Sequence, residues 1–210
     1  MQISILLMQS WPPEKNGLQI NQDTNCRLVR ARGLSRLSAW FAFGFTFSDV
    51  ARYTIEVDQQ GNHWRTDAAI SADFGLTISN DLNSPEGEIL DGQGSTVAVG
   101  ISITGSLEDD VRTYLTQRTE KVAALLLLRP NRELSKDCLG KNGDVVALAD
   151  GVKMAVRSFV KNWMATRLLL FYFGPLSGAC FIGHRLNAVC REIQIMEDQQ
   201  PGYAPSFLLK

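Results

Sequence analysis

Three short stretches combine a glycine, a hydroxyl and an adjoining helix start: Gly33-Leu34-Ser35-Arg36, Thr104-Gly105-Ser106 and Gly174-Pro175-Leu176-Ser177. The chemistry open to such a turn is anion binding. The first backbone N–H groups of a helix have no partner within the helix and point outward, and glycine lets a phosphate come close to the main chain. Glycine and serine are also ordinary capping residues, so one such turn alone says little. Arg36, Arg129, Arg132, Lys136 and Lys141 lie in or beside loops that could border a common cleft. Arginine suits two-pronged contact with phosphate, although a solvated loop is the commoner setting for any one of them. Trp40, Tyr172 and Phe173 have faces on which a base could stack; such residues are more often core.

Catalytic arrangements are scarce. The two histidines, His63 and His184, belong to no HExxH or HxH pattern, which points away from zinc. There is no GxSxG elbow, P-loop or GxGxxG. Asp109-Asp110 sits at a helix start, where the helix dipole accounts for it better than a metal does. The four cysteines form no CxxC pair and suit buried, reduced thiols in the cytoplasm. With 21 basic and 22 acidic residues the net charge is −1, which argues against a general duplex-binding surface. A pocket for a small anion needs only a few donors and is not excluded. Met1–Met8 lacks the basic lead and cleavage site of a signal peptide, and no apolar run approaches the roughly 20 residues that span a bilayer.

The elements that must position the turns follow from periodicity. Gln2–Met8 suits a strand, and Pro12–Asn25 reads as a polar loop. A strand over Arg27–Arg32 ends at Gly33, and an apolar, aromatic helix occupies Leu34–Phe47. Tyr53–Asp58 and His63–Thr66 form a hairpin around Gln60-Gly61-Asn62. Residues 70–96 are rich in Gly, Ser, Asn and Asp and read as irregular. Val97–Thr104 is a strong strand, and Ser106 caps a helix with Glu108, Asp109 and Asp110 in its first turn. Val122–Leu128 has the unbroken aliphatic character of a strand covered on both faces. Asp144 caps a helix whose Val145, Leu148, Val152, Val156 and Phe159 keep three–four spacing. Leu168–Phe173, Leu176–Asn187, Glu192–Met196 and Ser206–Leu209 complete a strand–helix–strand–strand ending. The alternation after Val97 implies an α/β fold with mainly parallel sheet and helices on both faces.

Two stretches echo each other. Leu37–Arg52 and Leu176–Arg191 align without a gap, matching Leu37-Ser38 to Leu176-Ser177, Gly44 to Gly183 and Arg52 to Arg191. Each is followed by a Gln- and Gly-containing turn, at Gln59-Gln60-Gly61 and at Gln199–Gly202. Any two strand–helix–strand units share some likeness. The ungapped spacing favours a pseudo-twofold pair of Rossmann-like lobes, which would set two strand-to-helix turns over one cleft.

The segment Leu168-Leu-Leu-Phe-Tyr-Phe-Gly-Pro-Leu-Ser-Gly-Ala-Cys-Phe-Ile-Gly183 resembles the strand, small-residue turn, helix and late glycine of SAVED domains. Ile193–Asp198 followed by Gly202-Tyr203-Ala204-Pro205-Ser206 is similar to their closing strand and Tyr-x-Pro ending. Val97–Val111 is similar to the family's central strand and helix, and Tyr53–Thr66 to its first-half hairpin. The resemblance covers about residues 25–210. It implies two fused CARF-like lobes, about 25–96 and 97–210, that bind a cyclic di- or trinucleotide second messenger. It further implies ligand-induced homo-oligomerisation that switches on an effector, commonly a nuclease, TIR, protease or membrane module, fused or in trans, in CBASS or type III CRISPR defence against phage. The residues of this chain themselves call for no cofactor, metal or membrane. No effector is present in this sequence, and residues 1–24 are short for the usual opening strand–helix unit. An HNH nuclease preceding this segment, or a stand-alone sensor, would each explain that. Two other readings stay open: an enzyme that degrades the cyclic nucleotide, as a ring nuclease does, and a partner-binding scaffold without ligand.

Overall fold

The computed structural model describes residues 27–59, 61–79, 84, 86–200 and 202–210. The expected strand at Gln2–Met8, the loop over Pro12–Asn25 and Cys26 lie outside them. A small sheet comes first. β1 (Arg27–Arg32) lies parallel to β2 (Tyr53–Gln59), with Arg32 opposite Asp58, and the two are joined by helix α1 (Leu37–Thr46). β3 (Asn62–Arg65) returns antiparallel to β2. Ile55 and Val57 of β2 are fully buried, and Thr66 accepts the Ile55 N–H at 2.9 Å. The hairpin thus closes over an apolar face, as its alternation requires.

A second sheet of seven strands follows. β6 (Thr96–Ser102) lies between β7 (Ala124–Pro130) and β8 (Arg167–Phe173), parallel to both, and β9 (Glu192–Asp198) is parallel to β8. β10 (Tyr203–Leu209) closes one margin antiparallel to β9. All seven residues of β6 are buried, because strands flank it and helices cover both faces. On one face α3 (Asn142–Asn162) and α4 (Leu176–Arg185) pack with α1 into the main core. On the other, Leu107 and Val111, at and in α2 (Glu108–Thr116), meet Ala98, Leu125, Leu127, Leu169 and Phe171. Gly100 is the point of closest approach there: a Cβ would stand 2.7 Å from Leu107 Cδ1.

The segment expected to be irregular supplies two short strands. β4 (Leu76–Ile78) and β5 (Glu88–Ile89) both pair antiparallel with β7 on the side away from β6. Two helix starts also differ from expectation by a turn or less. Ser106 lies outside α2, its Oγ accepting the Glu108 N–H at 3.4 Å, and Ser102 Oγ accepts the Leu107 N–H at 3.2 Å. Asp144 sits inside α3 and reaches back to the Lys141 N–H, at 3.2 Å, rather than capping from outside.

Helices α1 and α4 pack directly on each other, and their contact is reciprocal. A Cβ on Gly44 of α1 would lie 1.9 Å from the Cys180 carbonyl oxygen, and one on Gly183 of α4 would lie 2.3 Å from that of Phe41. Gly44 and Gly183 are 139 residues apart, as are Phe41 and Cys180. Each helix therefore presses its glycine onto the same place in the other. At their C-terminal ends His184 Nδ1 lies 2.5 Å from the Phe47 carbonyl oxygen. A carbonyl oxygen can only accept, so Nδ1 carries the proton.

Candidate functional site: two helix starts on one strand edge

The three glycine turns all follow strand C-termini. Thr104-Gly105-Ser106 and Gly174-Pro175-Leu176-Ser177 are neighbours, because they leave the adjacent parallel strands β6 and β8. Ile103 and Thr104 both donate their N–H to the Phe173 carbonyl, at 2.8 and 3.2 Å. The Phe173 ring lies on Gly105, where a Cβ would come within 2.6 Å of its edge. That ring is 44% exposed, so of the three aromatics with stacking faces Phe173 alone stands at the open edge; Trp40 and Tyr172 are core.

Tyr172 has a different task. Its hydroxyl runs under the turn and donates to the Pro175 carbonyl at 2.9 Å. A Cβ at Gly174 or Gly178 would strike that hydroxyl, at 2.5 and 2.1 Å, so both glycines are required by the ring beneath. Burial pushes the Tyr172 hydroxyl well above the usual phenol range, which keeps it a neutral donor. Phe41 of α1 meets the same ring edge-on at 5.4 Å, so the turn is braced from both helices.

The third turn, Gly33–Arg36, is exposed throughout. Gly33 takes a φ of +135°, and Leu34 is 97% exposed. The helix starts of α1 and α4 are each tied to the opposite sheet by a crossed pair of hydrogen bonds. Ser177 is the second residue of α4, and its N–H donates to Gln59 Oε1, at the end of β2, at 3.2 Å. Ser38 is the second residue of α1, and its N–H donates to Glu197 Oε2, near the end of β9, at 3.2 Å. Each helix start is thus capped by a side chain from the other sheet. Ser206 adds one more bond, from its Oγ to Ser38 Oγ at 3.0 Å. Both starts consequently share one edge of the molecule.

The expected cations divide. Arg36 is the extended residue that precedes α1, and Arg129 is exposed near the end of β7; Lys136 is exposed in the following loop. Arg132 is held by its own loop: its guanidinium bonds to Asp144 at 3.2 Å, to the Cys138 and Asp73 carbonyls, and lies 4.9 Å over the Phe74 ring. Lys141 pairs with Asp73 at 3.5 Å. Three carboxylates, Glu108, Asp109 and Asp110, already answer the dipole of α2, which makes the Ser106 turn the least hospitable of the three to an anion.

Sequence reasoning missed Gln59, Glu197 and Ser206. The duplicated Gln-Gly turn was the available signal, since one copy begins at Gln59 and the other follows Glu197 by two residues. An open pocket lined by Asp49, Arg52, Tyr53, Thr54, Thr66, Asp67 and Arg185 lies at the start of β2 and the end of α4, away from the turns. Arg185 is engaged there by Asp49 and Asp150, at 2.8 and 2.9 Å. Among the described residues no cluster of His, Cys, Asp and Glu could hold a metal, and no helix is long and apolar enough to cross a membrane. Burial raises the Cys138, Cys180 and Cys190 thiols above their usual range and holds them protonated.

Among curated proteins, the chain is 24% identical over 188 residues to CD-NTase-associated protein 4 of Acinetobacter sp. (strain ATCC 27244 / 9458); the match takes in 89% of this chain and 37% of that protein. It therefore spans under two-fifths of that relative's length. Among solved structures it is similar to the Cap4 SAVED/CARF-domain containing receptor of Acinetobacter baumannii with the cyclic trinucleotide 3'3'3'-cAAA, with a TM-score of 0.70 at 21% identity over 87% of this chain and 38% of that one. The corresponding Moraxella osloensis receptor gives a TM-score of 0.66 at 21% identity, over 87% and 37%. The α/β arrangement of mixed sheets and helices is the one those receptors share. The family model described as "SMODS-associated and fused to various effectors sensor domain" matches residues 15–209. With that match running over nearly its whole length, the chain belongs to the SAVED family of sensor domains.

Proposed function

We propose that this chain is the sensor part of a cytoplasmic anti-phage system, and that it binds a cyclic di- or trinucleotide at the edge carrying the starts of α1 and α4. One observation carries the reading: two helix starts, at matched places in the sequence, stand on the same edge, each capped from the opposite sheet. Outward-pointing N–H groups there suit phosphodiesters, and Phe173 beside Gly105 offers a face for a base. The ligand contacts fall to Gly174–Ser177, with Gly33, Ser35 and Arg36 bordering; Thr104, Gly105 and Ser106 shape the neighbouring turn, and Arg129 and Lys136 supply positive charge. Arg132 serves by fixing the loop that presents Lys136.

In this reading residues 25–96 and 97–210 form two CARF-like lobes related by a pseudo-twofold axis. The reciprocal Gly44 and Gly183 contacts support it. Ligand binding drives homo-oligomerisation and so activates an effector, fused or in trans. The relatives' binding of cyclic trinucleotides and the family's sensor description support the choice of ligand. Calorimetric titration with a panel of cyclic di- and trinucleotides tests it: micromolar or tighter binding of one member is expected, and binding of none overturns the reading. Sedimentation with and without the bound member tests assembly, and a sedimentation coefficient that ligand leaves unchanged removes that half of the proposal.

A further inference from the structure

The two capped helix starts differ in charge. The Ser38 N–H of α1 faces a carboxylate, Glu197, and the equivalent Ser177 N–H of α4 faces a neutral carboxamide, Gln59; both bonds are 3.2 Å long. The hydroxyls differ too. Ser38 Oγ accepts from Ser206 Oγ at 3.0 Å. Ser177 is 1% exposed, and among the described residues its hydroxyl makes no hydrogen bond.

We infer that the binding edge is one-sided: a ligand phosphodiester seats on the α4 turn, Gly174–Ser177, by displacing the Gln59 carboxamide, while Glu197 keeps the α1 turn filled with an anion of the protein's own. This rests on the proposed binding of a cyclic nucleotide and names which half of the edge takes its phosphate. The physics is an exchange. At α1 an incoming phosphate would replace one anion by another, so the helix dipole gives it no net preference and Glu197 must be driven into solvent. At α4 it replaces a neutral group, so the dipole and the exposed amides add to its binding, and the Ser177 hydroxyl gains an acceptor. Gln59 and Glu197 thereby act as specificity-determining residues that choose the end.

Two isosteric exchanges separate the cases. Gln59→Glu places a carboxylate on the α4 start; affinity for 3'3'3'-cAAA, or for whichever member of a panel of cyclic di- and trinucleotides binds tightest, is expected to fall by about tenfold or more. Glu197→Gln removes the anion at α1 and is expected to raise affinity about threefold. Thermal unfolding of both variants reports whether the fold is kept; if Gln59→Glu fails to fold, Glu197→Gln decides alone. The inference is overturned if Gln59→Glu binds as the parent does, or if Glu197→Gln weakens binding. A parent chain that binds no member of the panel overturns the functional proposal itself, which is a distinct result from a parent that binds and variants that do not discriminate.

Discussion

The starts of α1 and α4 are built from the same local sequence, Leu-Ser, at the same helical position, and donate a hydrogen bond of the same length to a side chain across the molecule. They differ in one chemical group, an acid against an amide. The backbone arrangement therefore follows from what the two segments have in common, and the chemistry of each end follows from strands far away. Likeness of scaffold is carried by glycines in the helix contact; unlikeness of charge is carried by two side chains on strand ends.

The largest effect that would break the likeness is expected at the helix contact. Gly44→Ala and Gly183→Ala each drive a methyl into a backbone carbonyl, at 1.9 and 2.3 Å, which no side-chain rotation relieves. Each is expected to cost about 3 kcal/mol or more, read from denaturant unfolding. If one is silent, the contact is not reciprocal in solution. A smaller effect sharpens the difference between the helix starts. Ser38→Ala loses its bond to Ser206 and is expected to lower stability by about 1 kcal/mol with little change in ligand affinity. Ser177→Ala is expected to do the reverse, weakening binding about fivefold with little loss of stability. Equal effects on both readouts would erase the distinction.

The smallest effect concerns the C-terminal ends. His184 occupies the place matched by Phe45 in α1, and its pKa lies below the ordinary 6.5, first because burial disfavours the charged ring. Its bond to Phe47 and the nearby Asp49 carboxylate pull the other way, while Arg185 and Lys153 add to the lowering. A lowered native pKa means that the unfolded chain binds the proton more readily. The stability from keeping His184 neutral is thus complete above pH 6.5 and is lost as pH falls through the native value. Thermal midpoints measured from pH 8 to 5 should fall on the acid side, and His184→Phe should flatten that fall while lowering the midpoint at pH 8.

Much of the scaffold could be read from the sequence. The aliphatic runs of β6, β7 and β8 mark strands covered on both faces, and the ungapped likeness of Leu37–Arg52 to Leu176–Arg191 marks two helices, which the structure packs on each other. What could not be read is long-range. Gln59 and Ser177 are 118 residues apart and Glu197 and Ser38 are 159 apart, and nothing local marks either pair. Arg132 reads in the sequence as a loop cation that could border a cleft, and its engagement by Asp144 and Phe74 comes from elements that nothing local marks. β4 and β5 were invisible because so few residues, set among Gly, Ser and Asn, carry no periodicity; it is the open side of β7 that orders them.

That last pairing bears on how the molecule survives at high concentration. Without it, β7 would offer Ala124–Pro130, an aliphatic strand with an unused row of amides and carbonyls, to any passing chain. The stretches at Leu76–Ile78 and Glu88–Ile89 occupy much of that row from within. They act as a built-in sealant against sheet-to-sheet sticking, a hazard to which bare apolar edges are prone. A segment that reads as irregular by composition is therefore a poor place to shorten the protein.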